Sequence, residues 1–197
     1  MSEKEELIAI VGAANVFDAA ETLEAYSWDE SFIRQMKPQC VARPQNAEEV
    51  QEIVKWANKT ATPLIPVSSG PPHFQGDTIP SQGGVVVDLS RMKRIIRVNR
   101  RNRVAMVEPG VTFAELQPEL EKEVLRLPMP LCPRRSKSAV GNCLEREPTT
   151  IPKYQWDISD PLLCTEVVFG SGDLFRTGEA AGVVTSRGCI VLVALYF

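Results

Sequence analysis

The sequence predicts an α+β fold, in which a small parallel unit precedes a larger and mainly antiparallel sheet that carries helices. Two observations support this prediction. A strand, a helix and a strand follow one another with short links over residues 40–67, and three β-branched runs with short polar links follow over residues 85–107. The chain has 197 residues, enough for one good-sized domain or two small ones that share a core.

The N-terminal region has helical periodicity. Apolar residues recur at helical spacing between Glu3 and Ala25, which predicts two short helices separated near residues 12–15. Farther on, the short run of residues 40–43 ends at Pro44 and predicts a strand that enters a turn.

A crossover unit follows this strand. Asn46 is a suitable cap for a helix whose apolar residues recur at i, i+3, i+4 and i+7 from Val50 to Ala57. A strand is predicted directly after the helix, over residues 63–67. The succession of strand, helix and strand with short links indicates a parallel crossover.

The second half of the sequence is richer in strands. Runs at 85–89, 94–98 and 103–107 predict three strands, with a hairpin turn at 99–102 between the last two. A further strand at 163–169 is predicted to turn into residues 174–177.

Two more elements complete the prediction. Thr112 and Glu115 have the spacing of a capping box, which predicts a helix there; Pro118 inside it should kink the helix or shorten its first turn. The apolar run of residues 189–197 is too short to span a bilayer as a helix and is interpreted as a buried strand or as the start of a longer segment that is cut off.

Charge and composition exclude several classes of partner. The net charge of -3 gives no general reason to bind nucleic acid or an anionic membrane. The one basic cluster is interpreted as a solvated face, with an anion or partner site as the alternative. It consists of Arg91, Lys93, Arg94, Arg97, Arg100, Arg101 and Arg103.

The cysteines and the histidine bear on location and metals. An odd number of cysteines, together with an acidic start that lacks a secretory leader pattern, predicts unpaired thiols in a reducing cytoplasm. The five are Cys40, Cys132, Cys143, Cys164 and Cys189. No pair of them has zinc-ligand spacing and His73 is the only histidine, so no metal site is predicted.

Three loops are the candidate binding elements, because each is rich in residues that expose the backbone. A glycine-bearing loop at a strand end can direct its N–H groups at a phosphate. The first loop contains Pro66, Ser68, Ser69, Gly70, Pro71, Pro72, His73, Phe74 and Gly76; the second contains Pro109, Gly110, Val111 and Thr112; the third contains Gly141, Asn142 and Leu144.

The order of these motifs carries a family resemblance. It starts with Arg43-Pro44, Glu48-Glu49-Val50 and Pro63-Leu-Ile-Pro66, and continues with Pro66-x-Ser-x-Gly70, Val107-Glu-Pro-Gly-Val-Thr112, Val140-Gly-Asn-x-Leu144 and Glu166-Val-Val-x-Gly170. Over residues 38–178 the chain resembles the FAD-binding (p-cresol-methylhydroxylase-type) domain of the vanillyl-alcohol oxidase and p-cresol methylhydroxylase flavoprotein family.

The resemblance implies a two-lobed module that holds FAD in extended form between its lobes. Residues 1–37 would be a helical segment, 38–82 the first α/β lobe and 83–197 the second α+β lobe. By the same likeness, residues 68–74 would wrap the pyrophosphate, the second and third loops would line the adenosine and flavin stretch, and Val167 would lie against the adenine. The substrate-binding cap domain of complete family members would be absent, so no catalytic residue is assigned.

Two departures from the family pattern keep an alternative open. Pro71 and Pro72 have no N–H to offer a phosphate, and Glu147 places a charge where small residues are usual. The favoured hypothesis is an FAD-binding module of an alcohol, phenol or hydroxy-acid oxidoreductase, which is either a separate subunit or a truncated form and is not expected to be active alone. A cap-bearing partner subunit or a homodimer is expected. The alternative is an interaction or structural protein that has kept the fold and lost FAD.

Overall fold

A computed structural model describes residues 3–70, 73, 76, 78–127, 134–145 and 162–177, and the backbone of 191–194. The chain divides into two compact units. The first comprises Met1–Arg91 and Val168–Leu174, and the second comprises Met92–Val167 and Phe175–Phe197. Pro71, Pro72, Phe74 and Glu147 lie outside the described residues, as do Cys132 and Cys189.

The first unit is a four-stranded sheet with helices. Its helices are α1 (Glu3–Val11), α2 (Ala20–Ala25) and α3 (Ala47–Thr60), with short 3-10 turns at Ala13–Asn15 and Leu89–Arg91; its strands are β1 (Val16–Phe17), β2 (Cys40–Ala42), β3 (Leu64–Val67) and β4 (Val85–Asp88). The strand order is β1-β2-β4-β3. Both β2 and β3 run parallel to β4, and β1 is antiparallel to β2.

Both faces of this sheet are covered, because successive side chains of a strand point to opposite sides. One face packs against α1 and α3, and its cluster contains Leu7, Val11, Val16, Cys40, Ala42, Ile53, Trp56, Ala57, Val85 and Val87. The other face forms a smaller cluster of Tyr26, Val41, Val67 and Val86. All four residues of β4 are buried, as expected of a central parallel strand.

The predictions for this region are confirmed at the level of single elements. Two N-terminal helices are present, and the Asn46 side chain accepts a hydrogen bond from the N–H of Glu49 at 2.9 Å as the cap of α3. The crossover from β2 through α3 to β3 is parallel, but β4 lies between those two strands. The division of the chain therefore falls after Arg91, not at the expected boundary after residue 82, because β4 completes the first sheet.

The second unit is the mainly antiparallel part. Its helices are α4 (Phe113–Lys122) and α5 (Ala139–Glu145), and its strands are β5 (Ile95–Asn99), β6 (Val104–Val107), β7 (Leu162–Val168), β8 (Leu174–Arg176) and β9 (Val191–Ala194). The strand order is β5-β6-β9-β7-β8. The pairs β5–β6, β6–β9 and β7–β9 are antiparallel, which confirms the predicted strand near the end of the sequence as a central one.

Turn and cap chemistry set the bounds of these elements. The predicted hairpin joins β5 and β6, but its turn is formed by residues 100–103, one residue later than predicted, and Arg103 in it has a φ of 54°. In the capping box, the N–H of Thr112 donates to Glu115 Oε2 at 2.9 Å, and α4 then runs on through Pro118. The main core of the unit lies between α4, α5 and β6; its largest members are Phe113, Leu116, Leu120, Leu125 and Leu127. Among the described residues, no helix combines the length and the apolarity needed to cross a membrane.

Candidate functional site

The first predicted loop begins at the carboxyl edge of the first sheet. The strands β2, β3 and β4 are parallel, so their carboxyl ends meet at one edge, where open α/β sheets commonly bind ligands. Pro66 is exposed on β3, which is an edge strand and therefore tolerates a residue without an N–H. Ser68 and Ser69 are partly buried. Gly70 is exposed, and apart from its chain neighbours no described residue has an atom within 4 Å of the position that a Cβ would occupy.

A buried carboxylate fixes the end of the neighbouring strand at the same edge. Asp88 is 1% exposed and accepts hydrogen bonds from Tyr26 Oη at 2.7 Å, Arg43 Nε at 2.8 Å and the N–H of Ser90 at 2.9 Å. The Arg43 guanidinium also stacks over the ring of Phe17, 4.5 Å from its centroid. Burial raises the pKa of the Tyr26 hydroxyl, so it stays protonated and donates. Sequence reasoning missed this network, because its members come from four separate segments.

The far end of the first loop is attached to a segment that sequence reasoning also missed. The N–H of Gly76 donates to Asp29 Oδ2 at 2.6 Å, and the N–H of Glu30 donates to the carbonyl oxygen of His73 at 2.9 Å. Burial by itself would raise the pKa of the Asp29 carboxyl, but the hydrogen bonds from Ser31 and from Gly76 outweigh it and lower that pKa below its usual value. Asp29 is therefore a charged acceptor at neutral pH.

The second predicted loop, in the second unit, uses its backbone donors internally. The N–H of Gly110 donates to the carbonyl oxygen of Met92 at 2.8 Å, and that of Val111 donates to the carbonyl oxygen of Glu108 at 3.2 Å. Since the N–H of Thr112 donates to Glu115, all three N–H groups of residues 110–112 have protein acceptors. Pro109 has no N–H, and the Val111 side chain is fully buried in the core.

The third predicted loop is the start of α5. The Ser138 hydroxyl donates to the carbonyl oxygen of Pro109 at 2.6 Å and accepts from the N–H of Gly141 at 2.9 Å. Ser138 therefore caps α5 and at the same time joins the second predicted loop to the third. The third predicted loop begins at Ser138 in the sequence, but its role as a cap was not predicted, although a serine just before an apolar run is a cap signal.

The α5 helix also presents a buried polar group that lacks a partner. Asn142 is 3% exposed, and its Oδ1 atom accepts no hydrogen bond from any described residue. A buried amide oxygen without a donor is costly, so a ligand N–H or O–H at this position would relieve that cost. Two residues along, Leu144 is 61% exposed and offers an apolar contact. The Oδ1 atom of Asn142 fits a bound group that carries an N–H or O–H donor, and Leu144 offers its apolar contact on a different side of the helix.

Val167 lies on β7 and is half-buried. The neighbouring Glu166 is 5% exposed and forms an ion pair with Arg176 on β8. The strands β7 and β8 are further joined where the N–H of Thr165 donates to Thr177 Oγ1 at 2.9 Å. These bonds set the position of the Val167 backbone. Within the described ranges, no three His, Cys, Asp or Glu side chains are grouped so that they could hold a metal ion.

Comparison with known proteins identifies the bound group. A family model described as the FAD binding domain matches residues 38–178. Glycolate oxidase subunit GlcD of Bacillus subtilis is 28% identical over 176 residues, which cover 89% of this chain and 37% of that protein. The mitochondrial D-lactate dehydrogenase (cytochrome) of Arabidopsis thaliana is 31% identical over 144 residues, which cover 73% of this chain and 25% of that protein.

A solved structure of a flavoprotein-family relative has the same fold as this chain. The crystal structure of p-cresol methylhydroxylase with substrate bound superposes with a TM-score of 0.84 at 25% identity, and the match covers 98% of this chain and 42% of that one. The chain thus spans well under half the length of the relatives it matches. The family match extends over most of the sequence and includes all three predicted loops. The chain belongs to the FAD binding domain family of flavin oxidoreductases, and its cofactor is FAD.

Proposed function

We propose that this chain is the FAD-binding module of an oxidoreductase that acts on an alcohol, a phenol or a hydroxy acid. The observation that carries the proposal is the family match over residues 38–178, which places the chain among proteins named for glycolate, D-lactate and p-cresol. When bound, FAD supplies an acceptor for the electrons of the substrate. The residues of this chain supply binding and orientation.

The described residues divide this binding task by their chemistry. In the first unit, Ser68, Ser69 and the open backbone at Gly70 suit phosphate oxygens, because hydroxyl and N–H groups donate to an anion. In the second unit, the Oδ1 atom of Asn142 suits a donor of the cofactor, and Leu144 suits an apolar ring. The second predicted loop contributes shape more than donors, since its N–H groups are already used.

We assign the substrate pocket to a second component. The chain corresponds to 37% of glycolate oxidase subunit GlcD and 42% of p-cresol methylhydroxylase, and the former is by name one subunit of its enzyme. A cap-bearing partner subunit is the component that this comparison favours, and a homodimer is the alternative. We further assign the assembly to the cytoplasm, in keeping with Cys40, a buried thiol outside any disulfide.

A second candidate function rests on the hydrogen bonds of the predicted loops. Four backbone N–H groups of these loops donate hydrogen bonds to protein acceptors: those of Gly76, Gly110, Val111 and Thr112. Because these N–H groups already have acceptors, they are not available to FAD. This favours an interaction protein that has kept the fold without the cofactor. FAD binding by the purified chain separates the two candidates.

The test follows the absorbance of the flavin in the purified, FAD-loaded chain under anaerobic conditions. Dithionite should bleach the flavin, because a small reductant reaches it directly. Glycolate, D-lactate and p-cresol should each leave it oxidised, because the groups that bind and deprotonate a substrate are assigned to a second component. Bleaching of the flavin by any of the three substrates with the chain alone would contradict the assignment of the substrate pocket to a second component. A chain that takes up no FAD would contradict the proposal that it is an FAD-binding module.

A further inference from the structure

The segment that links α2 to β2 supports the far end of the first predicted loop. Residues 27–36, called here the Asp29 loop, contain one buried acid, Asp29, which is 9% exposed. Its two carboxylate oxygens have separate partners. The N–H of Ser31 donates to Oδ1 at 2.9 Å within the segment, and the N–H of Gly76 donates to Oδ2 at 2.6 Å from the first predicted loop.

The hydrogen bond to Gly76 has the features of a strong one. An N–H that donates to an ionised carboxylate forms a shorter and stronger bond than one that donates to a neutral acceptor. The carboxyl of Asp29 is ionised because the hydrogen bonds of Ser31 and Gly76, despite the opposing effect of burial, lower its pKa. A second bond, from the N–H of Glu30 to the carbonyl oxygen of His73, joins the same two segments three residues earlier in the loop.

The backbone at Gly76 lies directly against the Asp29 loop. Its φ is +76°, a conformation that favours glycine. A Cβ at this position would lie 2.4 Å from Ile33 Cγ1 and 3.1 Å from Ser31 Oγ, so no side chain fits between the two segments. The contact with the Asp29 loop therefore requires a glycine at position 76. The N–H of Gly76 donates its hydrogen bond to Asp29.

We propose that Asp29 is a positioning residue for FAD, which acts by holding the backbone of Gly76, next to His73, whose carbonyl oxygen the N–H of Glu30 holds. The inference rests on the proposed function. Backbone that is held in place before a ligand arrives costs less entropy to order on binding, so the Asp29 carboxylate contributes to affinity without contacting the cofactor. Gly76 then contributes to binding by its conformation and not as a donor to phosphate.

The test compares Asp29→Ala and Asp29→Asn with Asp18→Ala and Asp18→Asn. Asp18 is the matched control, an exposed aspartate whose partner is Lys4. FAD affinity is measured by calorimetric titration of each purified variant. Asp29→Ala should weaken FAD binding by about 10- to 100-fold, the loss expected for about 1.5–3 kcal/mol. Asp29→Asn keeps one carbonyl acceptor and should lose less, and the two Asp18 variants should bind as the unchanged chain does.

A second measurement separates positioning from general damage to the fold. The amide proton of Gly76, followed by NMR without FAD, should move upfield and exchange faster with solvent in Asp29→Asn, while the amide protons of β3 and β4 keep their shifts. Undiminished FAD affinity in folded Asp29→Asn and Asp29→Ala would overturn the proposal. If the unchanged chain binds no FAD, the proposed function fails with it, and the NMR result then reports only on the contact between the two segments.

Discussion

At the scale of single residues, buried carboxylates organise both units. In the first unit, Asp88 is paired with Arg43; in the second, Glu108 is 1% exposed and accepts from Arg94 Nε at 2.7 Å. Each lies at the end of a strand, next to a predicted loop. A buried carboxylate that has lost its cation strongly destabilises the fold. Each strand end is therefore held where its carboxylate keeps its cation, and this determines where the neighbouring loop begins.

Replacing the cation of the first pair tests this point. Arg43→Ala leaves Asp88 buried with only neutral donors and should lower the free energy of unfolding by about 3–5 kcal/mol. The control Lys122→Ala removes the cation of an exposed pair with Glu119 and should cost less than about 1 kcal/mol. Urea unfolding followed by circular dichroism measures both values. Equal losses in the two variants would show that Asp88 does not depend on Arg43.

At the scale of elements, Ser138 connects a helix to a loop. It caps α5 through the N–H of Gly141 and donates to the carbonyl oxygen of Pro109. Ser138→Ala should lower the free energy of unfolding by about 1–2 kcal/mol and should also weaken FAD binding, because α5 carries Asn142. Ser171→Ala, in an exposed turn, is the control and should change neither quantity. Thermal unfolding and FAD titration supply the measurements; normal FAD affinity in Ser138→Ala would contradict the link to the cofactor.

The elements differ in how far the sequence predicts them, for physical reasons. The α3 helix and its Asn46 cap follow from local chemistry and were predicted correctly. The β4 strand was predicted as a strand but not as a member of the first sheet, because its pairing with β2 and β3 depends on a crossover between distant segments. The candidate loops were found from their glycines and prolines. The bond between Asp29 and Gly76 joins residues far apart in sequence, and a single aspartate in a polar segment carries no periodic signal.

At the scale of the whole molecule, the chain is a cofactor module whose relatives are more than twice as long. The family match and the fold account for FAD as the cofactor. The second predicted loop shows why residue roles do not transfer simply with the family. Its glycine and threonine match the motif, yet their N–H groups bind the protein itself. Binding by the intact chain therefore has to be measured directly.

The measurement that tests the account most directly is a calorimetric titration of FAD into the purified chain, with riboflavin as the matched probe that lacks the phosphates and the adenosine. The account predicts FAD binding with a Kd of about 1 μM or below and riboflavin binding at least about 100-fold weaker, because the first predicted loop recognises phosphate. No heat of binding with FAD at about 100 μM, or equal affinity for the two ligands, would contradict it.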